Sequence, residues 1–155
     1  MSARRFARAA ATPFAAAVLV ALAGCGDDGD DRLSKDEYVR AADAICAEYD
    51  RRLARLGDPR DLGELARLAD RVLPIAREAM RRLRALRPPD ELAPHARRWL
   101  ERNDRNLRTI EQLRAAARAG DETRVQELAS AGADNEAEAD RLARELGLRE
   151  CAKAG

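Results

Sequence analysis

Histidine occurs once in this chain, at His95, and that scarcity removes several chemistries at the outset. A Ser-His-Asp arrangement or an H-E-x-x-H zinc helix needs histidine with partners in place. His95 has only Glu91, one helical turn earlier, as a ready neighbour, and a Glu-His pair on a helix surface is an ordinary solvated feature. A glycine-rich phosphate loop is missing, and no Cys-x-x-Cys spacing serves dithiol redox work. Enzyme activity, a cofactor and a protein-held metal are therefore not expected. Aromatic residues are almost as scarce. Both phenylalanines, Phe6 and Phe14, fall near the N-terminus, which leaves Tyr38, Tyr49 and Trp99 for the rest. A core built mainly from Ala and Leu lets helices approach closely but buries little apolar area per residue, so it needs another source of stability.

Charge of one sign is absent too. The chain holds 29 Lys and Arg against 28 Asp and Glu, interspersed along its length. That balance offers no basic surplus for nucleic acid and no acidic tail. No segment of any length alternates apolar and polar residues with period two, which excludes a sheet protein.

What is present begins with a leader. Arg4, Arg5 and Arg8 precede a mostly apolar stretch, Ala9 to Ala23, too short to span a bilayer as a helix but suited to a signal peptide. Leu22-Ala23-Gly24-Cys25 resembles the lipobox of bacterial lipoproteins. That resemblance implies a diacylglyceryl group on Cys25 Sγ and cleavage before it. Two acyl chains hold a protein stably on a membrane. The expected partner is membrane lipid through Cys25, on the outer face of the cytoplasmic membrane. Removing three leader arginines takes the net charge from +1 to −2. Gly26 to Asp31 carries four aspartates and no apolar residue, which reads as a self-repelling tether. It lacks the spacing and closing glutamate of a calcium loop.

Four helices are expected beyond the tether. Ser34 with Glu37 forms a capping box, with Leu33 as its hydrophobic staple, and Val39, Ala42, Cys46, Tyr49, Leu53 and Leu56 recur on one face until Gly57. Asp58-Pro59 predicts the start of a second helix with the seam Leu62, Leu65, Ala69, Val72, Ala76, Ala79, Leu83 and Leu86, kinked at Pro74 and stopped by Pro88-Pro89. A third begins near Asp90 and presents Leu92, Ala96, Trp99, Asn103, Leu107, Ile110, Leu113 and Ala117. The fourth follows Gly120-Asp121 and presents Val125, Leu128, Gly132, Asn135, Ala139, Leu142 and Leu146, with a break near Gly132 left open. Short connections make antiparallel neighbours, so the expected fold is an all-α, up-down-up-down four-helix bundle, with a long three-helix form as the alternative.

Two features could carry function. If Cys25 takes lipid, Cys46 and Cys151 remain, and an exported protein most simply pairs them. Equal helical rise sets Cys151 roughly 25 Å above Cys46 at 1.5 Å per residue, so the tail must fold back or the helices must be staggered. Asn103 and Asn135 interrupt apolar faces, and a hairpin about Gly120-Asp121 sets Asn106 opposite Asn135 with Asn103 one turn away. Such a layer either fixes helix register or lines a small ligand pocket beside Trp99.

Four stretches, Tyr38 to Cys46, Leu83 to Pro89, Ala119-Gly120-Asp121 and Leu146 to Cys151, together resemble a family of small actinobacterial lipoproteins without an established activity. The resemblance covers nearly all of the chain after the leader and implies the Cys46–Cys151 pairing. The expected organisation is a signal peptide over residues 1–24, a lipidated cysteine and tether over 25–33, and a helical bundle over 34–155. The expected role is a non-enzymatic, lipid-anchored envelope protein that offers the bundle as an interaction module for an envelope protein. The alternative is a binder of a small molecule in the bundle middle.

Overall fold

The capping box opens the fold. Ser34 Oγ accepts the Glu37 N–H at 3.4 Å while the Glu37 carboxylate accepts the Ser34 N–H at 2.9 Å. These bonds occupy donors that a first helical turn leaves open. The structure, a computed structural model, describes residues 32–152. The leader, Cys25 and the tether up to Asp31 lie outside the described residues. Four helices follow the cap: α1 Lys35–Leu53, α2 Leu62–Ala85, α3 Ala93–Ala119 and α4 Glu122–Leu146. No strand occurs among the described residues. No described helix is long and apolar enough to cross a membrane.

α1 packs on α2, α2 on α3 and α3 on α4, in an up-down-up-down four-helix bundle. The main core joins the starts of α1 and α3 to the ends of α2 and α4. It contains Tyr38, Ala42 and Ile45, then Met80 and Leu83, then Ala96 and Trp99, then Ala139, Leu142, Ala143, Leu146 and Leu148. Arg32 and Leu33 belong to this fold rather than to a free tether. Leu33 packs against the core and donates its N–H to the Arg87 carbonyl at 2.8 Å, and Arg32 pairs with Asp90.

Three helix ends differ from the sequence expectation. α1 stops at Leu53, and Gly57 turns the chain at a φ of +72°. α2 starts after Asp61, not Asp58. The Asp61 carboxylate takes the Glu64 N–H at 2.7 Å, and Glu64 takes the N–H of Arg60, the residue before the cap, at 2.9 Å, so the cap forms at this second aspartate. α3 starts at Ala93, not near Asp90, because the Pro89 carbonyl first collects the N–H groups of Leu92 and Ala93 at 3.0 Å in a separate turn. α2 continues through Pro74, which sits on its exposed side, where a missing donor strands no buried carbonyl. α4 continues past Gly132 without a break.

The buried stripe of α2 is Ala66, Ala69, Leu73, Ala76, Met80 and Leu83. It keeps the expected alternation of three and four but is turned by one residue at every second step. The reason is tertiary. α2 is flanked by both α1 and α3, so its buried line runs between two partners instead of along the row richest in leucine. Arg52–Glu78 at 2.7 Å and Arg82–Glu48 at 2.6 Å border the α1–α2 seam, and Arg77–Glu111 at 2.6 Å and Arg118–Asp70 at 2.7 Å border the α2–α3 seam. Each exposed pair adds at most about 1 kcal/mol, so these pairs select neighbours more than they hold the bundle.

Candidate functional site

The helices leave one seam incompletely closed. α1 and α4 make few direct contacts, and the C-terminal tail joins them at one end. α4 ends at Gly147, whose φ of +84° lets Leu148 return its N–H to the Ala143 carbonyl at 2.9 Å. Leu148 is then buried, at 1% exposure, and the chain runs back onto α1. There the Asp43 carboxylate accepts three consecutive backbone N–H groups: Arg149 at 3.0 Å, Glu150 at 2.9 Å and Cys151 at 3.3 Å. This clamp brings Cys151 down to the level of Cys46. Their Cα atoms are 5.1 Å apart and the sulfurs are joined in a disulfide. The mismatch in helical height is thus taken up by the folded-back tail.

Below the bridge a cavity of about 360 Å³ occupies the bundle middle. Its floor comes from α2, through Ala76, Ala79, Met80 and Leu83. α3 supplies Trp99, Leu107, Ile110 and Leu113 along one wall. The lining residues that are exposed are Asp50 on α1 and Ala129, Ala133 and Glu136 on α4, so the mouth opens between α1 and α4. Sequence length explains the opening. α1 has 19 residues against 27 in α3, about 12 Å less at 1.5 Å per residue, so part of α3 has no helix laid across it. Leu107, Ile110 and Leu113 are accordingly only half-buried.

The asparagines divide between two roles. Asn135 donates from Nδ2 to Asn106 Oδ1 and to the Arg102 carbonyl at 2.9 Å, while Arg102 reaches Asn135 Oδ1 at 3.4 Å. This pair fixes the α3–α4 register, and Thr109 lies against Gly132 one turn further on. Asn103 does not join the cross-helix pair. Its Nδ2 donates to the Trp99 carbonyl of its own helix at 2.9 Å. Asn103 and Asn106 line the cavity beside Trp99, whereas Asn135 faces a shallow recess on the other side of α4 with Arg102 and Arg105. His95 stands near Arg98, 3.4 Å from it, instead of pairing with Glu91, and does not line the cavity.

No lysine or arginine lines the cavity, although the chain holds 29 of them. Its charged lining residues are Asp50, Glu136, Asp140 and Glu150. Asp140 is only 6% exposed, yet it forms no hydrogen bond or ion pair among the described residues. Burial pushes its carboxyl above the usual aspartate range, with Arg144 one turn away opposing the shift. The Arg144 guanidinium is directed to the Ala152 carbonyl, at 3.5 Å. Partial loss of water at the cavity mouth also raises the carboxyl of Glu136, an otherwise exposed residue, and the Asp140 charge adds to that. Tyr49, on the facing helix, is pushed up to about 12, first by burial and then by Asp50 and Glu136. Among the described residues no group of three or more His, Cys, Asp or Glu is arranged to hold a metal ion.

Asp43, Glu136 and Asp140 were not singled out from sequence. A signal for Asp140 exists. It interrupts the buried run Ala139, Leu142, Ala143 and Leu146 with a charge, and Glu136 precedes it by one helical turn. Asp43 carries no such signal, because its partners are backbone groups of a distant tail. No family model, no curated protein and no solved structure matches this chain.

Proposed function

We propose that the bundle is a non-enzymatic binding module that takes a small, largely apolar ligand into the cavity between α1 and α4, and that lipid on Cys25 holds it on the outer face of the cell membrane. The observation that carries the binding reading is the cavity itself. Its volume is in the range of small-ligand sites, and its largely apolar walls are interrupted by polar groups from α1, α3, α4 and the tail. A bundle of short Ala and Leu side chains could close its middle with one longer apolar residue. Ala79 and Ala133 instead keep it open. The anchor reading rests on Leu22-Ala23-Gly24-Cys25 and the signal-like leader.

The core, caps and bridge all lie within residues 33–152, so the chain from Gly26 onward holds everything that supports the cavity. With this chain produced in an oxidising compartment, a neutral apolar fluorescent probe such as N-phenyl-1-naphthylamine should bind saturably. Binding should be lost in Ala79→Leu/Ala133→Leu with the fold retained by circular dichroism. Absence of saturable binding to the parent protein would refute the reading. For the anchor, mass spectrometry of protein extracted from membranes should find Cys25 as a diacylated N-terminus. An unmodified Cys25 would refute that part.

A further inference from the structure

The cavity combines an apolar interior with charge of one sign at its mouth. We propose that its ligand is an organic cation with an apolar body, whose ammonium-type head is held by Asp140 and Glu136. This inference rests on the binding reading above and adds the chemical class of the ligand. Three observations carry it. Asp140 is a residue only 6% exposed in the cavity wall, and its carboxylate oxygens, which still reach open space, have no hydrogen bond or ion pair among the described residues. A carboxylate partly stripped of water and left without a partner is disfavoured in its charged form, and a cation beside it would compensate that. Second, the lining excludes Lys and Arg in a chain where arginine pairs with most nearby acids, as Arg82 does with Glu48 and Arg52 with Glu78. Third, Glu136 lies one helical turn from Asp140 on the same stripe of α4 and forms no ion pair among the described residues.

The arrangement also separates cation types. The carboxylates do not converge as a metal site would, and hard cations require several oxygens at close range. Charges spread around an apolar mouth match a head group that is large and weakly hydrated. Trp99 and Tyr49 supply aromatic surface in the same lining, and aromatic faces attract such cations. An anionic ligand would meet four carboxylates and no Lys or Arg in the lining.

The test uses the oxidised chain from Gly26 onward and three probes that share an eight-carbon tail: octyltrimethylammonium, 1-octanol and octanoate. Binding is read by calorimetry and by Trp99 fluorescence, below the micellar range. The ammonium probe should bind at least tenfold more tightly than octanol, and octanoate should bind more weakly than octanol. Asp140→Asn and, separately, Glu136→Gln should each reduce the ammonium preference without weakening octanol. The second variant keeps the test valid if the first perturbs folding. Equal binding of all three probes would overturn the cation assignment while leaving the cavity as a ligand site. A preference that survives in both variants would overturn the roles of Asp140 and Glu136. Binding of none of the three would remove the binding reading itself.

Discussion

Replacing Cys46 and Cys151 with serine should be the most destabilising pair of changes outside the main core. The bridge joins residues separated by 105 positions, nearly the whole described chain. Closing a loop of about 100 residues removes denatured-state entropy worth about 4.7 kcal/mol in the chain-entropy model. Residual compactness of the unfolded chain reduces this, so a loss of about 3–5 kcal/mol is expected. A domain of this size has only about 5–15 kcal/mol of stability in total. The other attachments of the tail do not substitute for the bridge. Burial of Leu148 and the Asp43 clamp act on the folded state and leave the unfolded chain unconstrained. At a urea dependence of about 2 kcal/mol per molar, the midpoint should fall by about 2 M. Urea titrations of parent and variant, followed by circular dichroism and by Trp99 emission, measure this. A fall of less than about 0.5 M at unchanged slope would refute the reasoning, since it corresponds to only about 1 kcal/mol.

Asp43→Ala removes the acceptor of three backbone N–H groups and should cost about 1–2 kcal/mol with the bridge intact, the scale of a lost helix cap; chemical denaturation checks it, and faster amide exchange at Glu150 and Cys151 locates the effect. Asn135→Ala strips Asn106 Oδ1 of its donor and should cost about 1 kcal/mol, whereas Asn103→Ala, which breaks only a bond to its own helix, should cost less in the same assay. Asp140→Asn should leave the melting temperature unchanged or raise it, because the carboxylate is held in a burial that disfavours its charge; a clear fall would assign Asp140 a structural role. Stability against pH should show two opposing trends. Glu136 and Asp140 are raised in the fold, so their stabilising contribution grows as pH falls from neutral and is lost as pH rises through their folded values. Glu48, Glu64 and Glu78 are lowered by hydrogen bonds from Arg82, Arg60 and Arg52, so their contribution is present above the ordinary carboxylate range and disappears below it. Melting curves across acidic pH should therefore hold or rise before falling, and the double variant Asp140→Asn/Glu136→Gln should lose the early rise.

Much of the fold was legible because helices are written locally. A capping box at Ser34, a seam of three-and-four spacing, the Pro88-Pro89 stop and the Gly120-Asp121 turn each act over a few residues. Positions equally distant from that turn must face one another in an antiparallel hairpin, and this sets Asn106 against Asn135. The starts of α2 and α3 were less legible, because two aspartates competed for one cap and the Pro89 carbonyl formed a turn of its own.

The amino-acid sequence by itself determined four helices, their order, their reversal and the cysteines available to be joined. These depend on backbone propensity, capping and short connections. Only the tertiary structure decided which face of α2 is buried, because that requires knowing both of its neighbours. It alone decided that Asp43 would clamp the tail, since the donors are backbone groups 106 to 108 residues away. The cavity is likewise a property of the assembled bundle. A short α1, packed on α2, leaves space beside the longer α3 and α4, and the acid that sits there becomes distinctive only once its surroundings are in place.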